Sequence, residues 1–221
     1  ETTLQVAPLD VASMLGPVLV ENRTAILTSA TLPQATAAAV GLEEDEHDRI
    51  DVDSPFDYPN NALLYCAKHL PEPRSPEYER AMLTHLVELM SSAGGRTLGL
   101  FTSYRMMDAA AEFLETYIKT PILTQRDYPK PVLIEKFKED PATSLLATLG
   151  FWQGIDIPGP SLSLVTIDRL PFPRPDDPLL SARRDLAGRH AFKLIDLPRA
   201  STLLAQGAGR LIRSKSDQGV V

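Results

Sequence analysis

Short apolar runs alternate along the chain with longer stretches in which apolar residues recur at helical spacing. Four of the runs have an apolar centre and predict buried strands at residues 23–29, 96–103, 144–150 and 161–168. Strands that are apolar on both faces are typical of a parallel sheet covered by helices on each side. The alternation of strands and helical stretches therefore predicts an α/β fold with right-handed crossovers.

Three helices are predicted from capping residues and apolar stripes. Ser75 and Pro76 fit the N-cap and first position of a helix that Gly94 would end just before the second strand. A second apolar stripe runs through residues 107–118, and Pro198 can open a third helix that leads into the segment QGAGRLIR. These helices fill the intervals between strands, as a fold of packed sheet and helix layers requires.

An acidic stretch followed by the segment SPFDYPNN interrupts this pattern. We therefore predict a junction over residues 41–60, between a short unit of residues 1–40 and a larger unit of residues 61–221. Neither end of the sequence resembles a natural terminus, so we expect the chain to be a piece of a longer protein. Residues 1–40 are then expected to pack poorly, because most of their own sheet would lie elsewhere.

The composition of the 221 residues, 43% hydrophobic and 23% charged, is that of an ordinary globular protein. The net charge of −7 weakly disfavours nucleic acid as a partner, but local patches decide such binding. The single cysteine, Cys66, excludes an intrachain disulfide and a multi-cysteine metal site, and favours a reducing, cytoplasmic location. No apolar run approaches the ~18 residues of a membrane span. The acidic segment DEHD follows no buried strand, so we predict no metal site there.

The segment QGAGRLIR, residues 206–213, carries the strongest chemical signal. Gln206, Arg210 and Arg213 have the spacing i, i+4 and i+7, which places them on one face of a continuous helix. Two guanidinium groups one turn apart can converge on a multiply charged anion such as a phosphate. An exposed helix with solvated arginines explains the same spacing equally well.

A second segment, LGFWQGIDIPG at residues 149–159, directly follows a predicted strand. It places Trp152, Gln153, Gly154 and Asp156 at the carboxyl end of a parallel strand, where open α/β sheets bind ligands. Gly154 permits an unusual backbone conformation, and Asp156 could accept a hydrogen bond from a ribose hydroxyl or an arginine. Core packing of Trp152 and a turn role for Asp156 are the alternatives.

Two further segments end predicted strands with small hydroxyl residues. In LFTSY, Thr102 and Ser103 lie where a strand meets a helix, and such a helix N-terminus can bind the phosphates of a nucleic-acid backbone. In LTSATLP, residues 27–33, a strand ends in the same kind of residues. A plain helix cap and a plain turn are the alternatives for these two segments.

Taken in chain order, from LTSATLP to QGAGRLIR, the four segments resemble motifs III, IV, V and VI of superfamily 2 helicases, and in detail the DinG/XPD-like branch. The segments TSATL, SPF, LFTSY, FWQGIDIPG, IDRLPFPRPDDP and QGAGRLIRS carry the likeness, which covers residues 9–221. It implies a RecA-like parallel sheet flanked by helices, the second motor domain of an ATP-dependent DNA helicase. Residues 1–40 would be the C-terminal remnant of the first motor domain.

The resemblance also implies roles for individual residues. Arg210 and Arg213 would be arginine fingers that contact the γ-phosphate of ATP, with Gln206 beside them. Gly154 and Asp156 would bind the nucleotide. The DNA-binding residues would be Thr102, Ser103 and Tyr104, and the residues that couple hydrolysis to interdomain movement would be Ser29, Ala30 and Thr31.

The phosphate-binding loop G-x-x-x-x-G-K-[ST] does not occur in the sequence. We therefore expect ATP and Mg²⁺ to be held mainly by an upstream motor domain, with single-stranded DNA as partner, and this chain alone to be inactive. An iron–sulfur cluster, which some family members carry upstream, would depend on cysteines outside these residues. A non-catalytic module that binds nucleic acid or partners and a nucleotide-utilising α/β transferase with chance motif matches are the alternatives.

Overall fold

A computed structural model describes residues 4, 6–20, 24–148, 151 and 162–221. Contacts divide the chain into two compact units. The larger unit comprises Ser54–Pro171 and Leu203–Val221, and the smaller one comprises Glu1–Asp53 and Phe172–Thr202. The two units are described separately.

The larger unit is built on a parallel sheet, which has six strands in the described part of the chain. Their order is β1-β6-β5-β2-β4-β3, and every pairing is parallel. The strands are β1 Ala62–Leu63, β2 Thr97–Phe101, β3 Ile122–Thr124, β4 Ser144–Thr148, β5 Leu164–Ile167 and β6 Gly219–Val220. All residues of β2 and β4 are buried, which confirms the predicted parallel sheet that is covered on both faces.

Helices cover both faces of this sheet. They are α3 Tyr58–Asn61, α4 Tyr78–Ala93, α5 Tyr104–Tyr117 and α6 Lys130–Glu139. Alternate residues of a strand point to opposite faces, and the core divides accordingly. Leu98 and Leu145 belong to one cluster, with Phe137 of α6. Leu146 of β4 belongs to the other, with helices α4 and α5. The predicted α/β fold of sheet and flanking helices is therefore confirmed.

The helix predicted from Ser75 begins two residues later than Pro76, because α4 starts at Tyr78. The Ser75 hydroxyl instead accepts a hydrogen bond from the backbone N–H of Glu77 at 3.3 Å. The predicted end is confirmed, since Gly94 follows α4 with φ of 65°, in the left-handed region that glycine adopts without strain.

The strand predicted at residues 23–29 is wrong for the part that the structure describes. Residues 24–29 adopt no regular secondary structure and are exposed. A strand is stable only when a neighbour takes up its backbone hydrogen bonds, and no described residue pairs with this run.

The smaller unit contains short helices and loops. Its elements are α1 Ala12–Val20, α2 Thr36–Ala39, α7 Pro178–Ala187, a 3₁₀ turn Gly188–His190, a π turn Phe192–Asp196 and the start of α8 Leu197–Ala208. Arg183 donates from Nε to the carbonyl oxygen of Leu9 at 2.9 Å, which joins the two segments of this unit. Gly16 is the only buried residue among the described residues up to Asp53, in line with the expected poor packing there.

These compact units differ from the predicted boundaries of 1–40, 41–60 and 61–221. Phe172–Thr202, which we predicted within the larger unit, clusters with the N-terminal residues. The predicted junction over 41–60 is also divided, because Ser54 already belongs to the larger unit. The assignment of these segments to a first and a second motor domain stays a prediction.

Candidate functional site

The carboxyl ends of the parallel strands bring the predicted residue Thr102 to one edge of the larger unit, together with polar residues that were not predicted. Thr102 follows β2, Gln125 follows β3 and Asp168 follows β5. Phe151, which follows β4, is buried in the core. The other residues of the segment after β4, among them Trp152, Gln153, Gly154 and Asp156, lie outside the described residues. Ligands of open α/β sheets bind at this edge.

Thr102 forms hydrogen bonds with Asp168, the residue that directly follows the neighbouring strand β5. The backbone N–H of Thr102 donates to Oδ1 of Asp168 at 2.9 Å, and its hydroxyl donates to Oδ2 at 3.2 Å. Tyr78 donates from its hydroxyl to the carbonyl oxygen of Asp168 at 2.7 Å. The hydroxyl hydrogen of Thr102, which we predicted to contact DNA, is therefore already engaged within the protein.

Burial sets the ionisation of this cluster. It raises the pKa of Asp168 above the ordinary aspartate value, while the hydrogen bonds from Thr102 and the charge of Arg169 act in the opposite direction. Burial also raises the pKa of Tyr78, and the negative charge of Asp168 adds to that increase. The guanidinium of Arg169 lies 5.1 Å from the centre of the Tyr78 ring. Sequence reasoning gave no role to Asp168 or Tyr78.

Ser103 caps helix α5, since its hydroxyl oxygen accepts from the backbone N–H of Met106 at 3.3 Å. The next residue, Tyr104, is 50% exposed. The guanidinium of Arg126, from the loop after β3, lies 4.6 Å from the centre of the Tyr104 ring. Of the three residues predicted to bind DNA, Ser103 and Tyr104 thus lie exposed at the helix N-terminus.

Gln125 connects the ends of β3 and β4. Its Oε1 accepts from the backbone N–H of Thr148 at 2.6 Å and from the Thr148 hydroxyl at 3.1 Å. The backbone N–H of Gln125 donates to the carbonyl oxygen of Leu146 at 3.0 Å. These bonds fix the point at which the chain leaves β4 toward the segment 149–159. Sequence reasoning missed Gln125, whose only signal was a polar residue directly after a short apolar run.

The arrangement predicted for Gln206, Arg210 and Arg213 on one face of a continuous helix is wrong. Helix α8 ends at Ala208, so Gln206 lies in its last turn, while Arg210 lies in the following turn and Arg213 in an irregular segment. Glycine has low helix propensity, and the two glycines of this segment, Gly207 and Gly209, favour the end of the helix here.

The segment after α8 is held in place on both of its sides. Leu211 and Ile212 are 1% and 2% exposed and pack into the core. Asp217 is buried and accepts hydrogen bonds from the backbone N–H groups of Arg213 and Ser214, both at 2.8 Å. Apolar anchoring and a buried carboxylate therefore fix the backbone of this turn, including that of Arg213.

Lys130, the first residue of α6, places its Nζ 4.9 Å from the centre of the Phe151 ring. Burial, together with the positive charge of Arg210, lowers the pKa of Lys130 below its ordinary value. A cationic side chain at the N-terminus of a helix, within the electrostatic influence of an arginine, suits an anionic ligand.

A family model for the helicase C-terminal domain matches residues 86–221. The chain belongs to this helicase family. Its match to ATP-dependent helicase DinG of Mycobacterium tuberculosis (strain H37Rv) has 50% identity and covers 99% of this chain and 34% of that protein. The match to ATP-dependent DNA helicase YoaA of Escherichia coli K12 has 37% identity and covers 99% and 36%. The chain thus spans about a third of the length of these relatives.

The fold of the chain is similar to that of S. tokodaii Xpd4, with a TM-score of 0.67 and 18% identity. The match covers 96% of this chain and 42% of that one. The similarity confirms the RecA-like parallel sheet with flanking helices. Together with the DinG relatives, it places the chain in the C-terminal region of DinG/XPD-like superfamily 2 helicases, as the sequence motifs predicted.

The remaining predicted residues, Ser29, Ala30 and Thr31, lie in the smaller unit. The backbone N–H of Thr31 donates to the hydroxyl oxygen of Ser29 at 3.1 Å, which forms a local turn. Within the described ranges, no group of three or more histidine, cysteine, aspartate or glutamate residues could hold a metal ion. None of the helices described is long and apolar enough to cross a membrane.

Proposed function

We propose that the chain is the second motor domain of an ATP-dependent DNA helicase. In this proposal, Arg210 and Arg213 act as arginine fingers on the γ-phosphate of an ATP molecule held by an upstream motor domain. The observation that carries the proposal is the anchored turn after α8. Buried Leu211 and Ile212, with the bonds to Asp217, fix the backbone on which both arginines are placed.

An arginine supplied in this way acts on the transition state. Negative charge spreads over the oxygens of the transferring phosphoryl group, and a fixed guanidinium stabilises that charge. This stabilisation raises the rate of hydrolysis by ~10³–10⁵-fold. The positive charge of Arg210 acts on Lys130, and Lys130 would add its own positive charge to this site. Gln206, in the last turn of α8, would orient the groups around the arginines. When bound, Mg²⁺ neutralises charge on the phosphates, and its ligands would come from the upstream domain.

The same proposal assigns single-stranded DNA to the carboxyl edge of the sheet. Ser103 and Tyr104 lie at the N-terminus of α5, where backbone N–H groups and the helix dipole favour the phosphates of a nucleic-acid backbone. Thr102 lies directly before these two residues. Its hydroxyl hydrogen is already donated to Asp168, so Thr102 would not donate that hydrogen to DNA and would contribute only through its position. Gly154 and Asp156 would contact the nucleotide, and Ser29, Ala30 and Thr31 would couple its hydrolysis to movement of the motor domains.

The test is Arg210→Ala in the natural full-length polypeptide that contains these residues. DNA-stimulated ATP hydrolysis should fall by ~10³-fold or more, because the transition-state charge loses its partner. Nucleotide affinity should change little, because the upstream domain provides most of the binding. Steady-state hydrolysis and equilibrium nucleotide binding are the two measurements.

Arg105→Ala is the matched control, since Arg105 is exposed and its Nη1 forms an ion pair with Glu79 at 2.8 Å. This variant should hydrolyse ATP at the wild-type rate. A wild-type rate for Arg210→Ala would remove the finger role. A full-length polypeptide that binds DNA and never hydrolyses ATP would instead support a non-catalytic binding module.

A further inference from the structure

Tyr104, Asp108 and Arg126 form a layered cluster at the N-terminus of α5. Arg126 lies over the Tyr104 ring, with 4.6 Å between the guanidinium carbon and the ring centre. Its Nε and Nη2 both donate to the Asp108 carboxylate at 3.2 Å. A planar carboxylate that accepts two parallel hydrogen bonds fixes the plane of the guanidinium. The cation is therefore held in one orientation over the ring, although all three side chains are exposed.

The fold explains why these residues meet. Tyr104 and Asp108 are one turn apart on α5, so they share a face of that helix. Arg126 reaches the same face from the loop after β3. Strands β2 and β3 flank β4 in a parallel sheet, so the segments that follow them leave the same edge.

The exposure of the pair distinguishes it from a structural contact. Tyr104 is 50% exposed and the Arg126 side chain 57% exposed. The other tyrosine–arginine pair of this unit, Tyr78 with Arg169, has a tyrosine that is only 6% exposed. An oriented aromatic and guanidinium pair that faces solvent can stack with a further planar group.

We propose that Tyr104 and Arg126 form a stacking site for a nucleobase of single-stranded DNA. The proposal rests on the proposed function, and it deepens the DNA contact by naming the base, rather than the phosphate, as the group recognised here. Stacking tolerates any sequence, because every base has a π face. Among the described residues, Nη1 of Arg126 donates to no protein acceptor, so this N–H group can donate to an adjacent phosphate.

The neighbouring residues are consistent with this division of roles. Thr102 directs its hydroxyl hydrogen to Asp168, away from a role as a phosphate donor. Ser103 and the N-terminus of α5 then remain for the phosphates, directly beside the Tyr104 ring. Backbone and base contacts would thus occupy adjacent positions at the start of one helix.

The experiment compares two strands of equal length and charge, oligo(dT) and an abasic oligomer that has the same backbone without bases. Binding of the natural full-length polypeptide to each strand is measured by fluorescence anisotropy. Tyr104→Ala should weaken binding to oligo(dT) by about 5- to 150-fold, the range found for loss of one stacked base. Its affinity for the abasic strand should stay that of the wild type.

Two further variants separate stacking from charge and from folding. Tyr104→Phe keeps the ring and should bind oligo(dT) like the wild type. Arg126→Lys keeps the positive charge and loses the planar group, so it should weaken oligo(dT) binding and leave the abasic strand unaffected. Tyr117→Ala is the matched control, since Tyr117 is a 59% exposed tyrosine at the opposite end of the same helix. This variant should bind both strands like the wild type.

Three results would overturn the stacking site. Equal losses on both strands would show that Tyr104 acts on the backbone or on folding. Wild-type affinity of Tyr104→Ala for oligo(dT) would show that no base stacks there. A wild-type polypeptide that binds the abasic strand as tightly as oligo(dT) would exclude base contacts while leaving DNA binding itself intact. Failure of the wild type to bind either strand would instead refute the proposed DNA-binding function, and the stacking site with it.

Discussion

Asp168 links the ends of β5 and β2 to helix α4 through hydrogen bonds to its side chain and to its backbone carbonyl. Its carboxylate accepts both donor groups of Thr102, and its carbonyl oxygen accepts from Tyr78 at the start of α4. A carboxylate that is largely buried resists ionisation unless hydrogen bonds or opposite charges compensate. At this position burial outweighs both, so the pKa of Asp168 is raised.

The raised pKa of Asp168 predicts a pH dependence of stability. The folded state favours the protonated carboxyl, so this contribution is present below about pH 4, the ordinary aspartate range, and is lost as the pH rises through the higher pKa of the folded protein. The Asp168→Asn side chain cannot ionise, so the stability of this variant should lack the pH dependence that comes from Asp168. Urea unfolding across the acidic range measures the effect, as the difference in unfolding free energy between wild type and variant. That difference should fall as pH rises; a difference that is independent of pH would contradict the prediction.

Polar contacts of this kind could not be predicted from the sequence. Apolar periodicity identifies strand and helix faces, but it does not tell which polar residues meet when distant strands become neighbours. Gln125 accepts hydrogen bonds from Thr148, the last residue of β4. Asp168 accepts hydrogen bonds from Thr102, the residue after β2. The sequence indicated Thr102 as a ligand-binding residue, because a hydroxyl at a strand end was visible and its internal partner was not.

At the scale of elements, the turn after α8 depends on a buried acceptor. Asp217 receives the backbone N–H groups of Arg213 and Ser214, and the Ser214 hydroxyl donates to its other oxygen at 2.6 Å. Without this carboxylate, three donors in a confined turn would lack their acceptor. Asp217 therefore positions the segment that carries both arginines, although Asp217 itself need not contact the nucleotide.

Asp217→Ala should destabilise the protein and slow ATP hydrolysis together. Each buried donor that loses its acceptor costs about 1–3 kcal/mol, and the displaced arginines would stabilise the transition state less well. Chemical denaturation and steady-state kinetics of the full-length polypeptide measure the two effects. Asp176→Ala, which removes an exposed partner of Arg174, is the control and should change neither. Unfolding and kinetics of Asp217→Ala that match the wild type would show that the turn does not need this acceptor.

The elements that were predicted correctly are those whose signal is local. Strands β2 and β4 are buried at every position and have apolar centres, and Gly94 marks the end of α4 by its left-handed backbone. The run at residues 24–29 also has an apolar centre but no described partner strand. The continuous helix predicted through Arg213 failed because glycines and the bonds to Asp217 favour a turn.

At the scale of the whole molecule, the chain covers 34% of its DinG relative and 36% of its YoaA relative. It contains no phosphate-binding loop of the form G-x-x-x-x-G-K-[ST]. That loop cradles the phosphates and places a lysine on them. In the proposed function, these groups belong to the upstream motor domain.

The isolated 221-residue chain should therefore show no DNA-stimulated ATPase activity. Arginines that stabilise a transition state have no effect when the nucleotide is not held in place. Phosphate release with and without single-stranded DNA is the measurement, and the full-length polypeptide at equal concentration is the positive control. Turnover by the isolated chain above background would refute the division of the active site.

The order of the sheet also has a consequence for synthesis of the protein. Strand β1 occupies an edge and pairs with β6, whereas β6 lies near the other end of the chain and joins β1 to β5. A ribosome makes β1 first and β6 last, so the inner strands can assemble while β1 still lacks its partner. The segment around Ala62 must therefore wait for its β6 partner until Gly219 has been made, and only then can the six described strands take their final order.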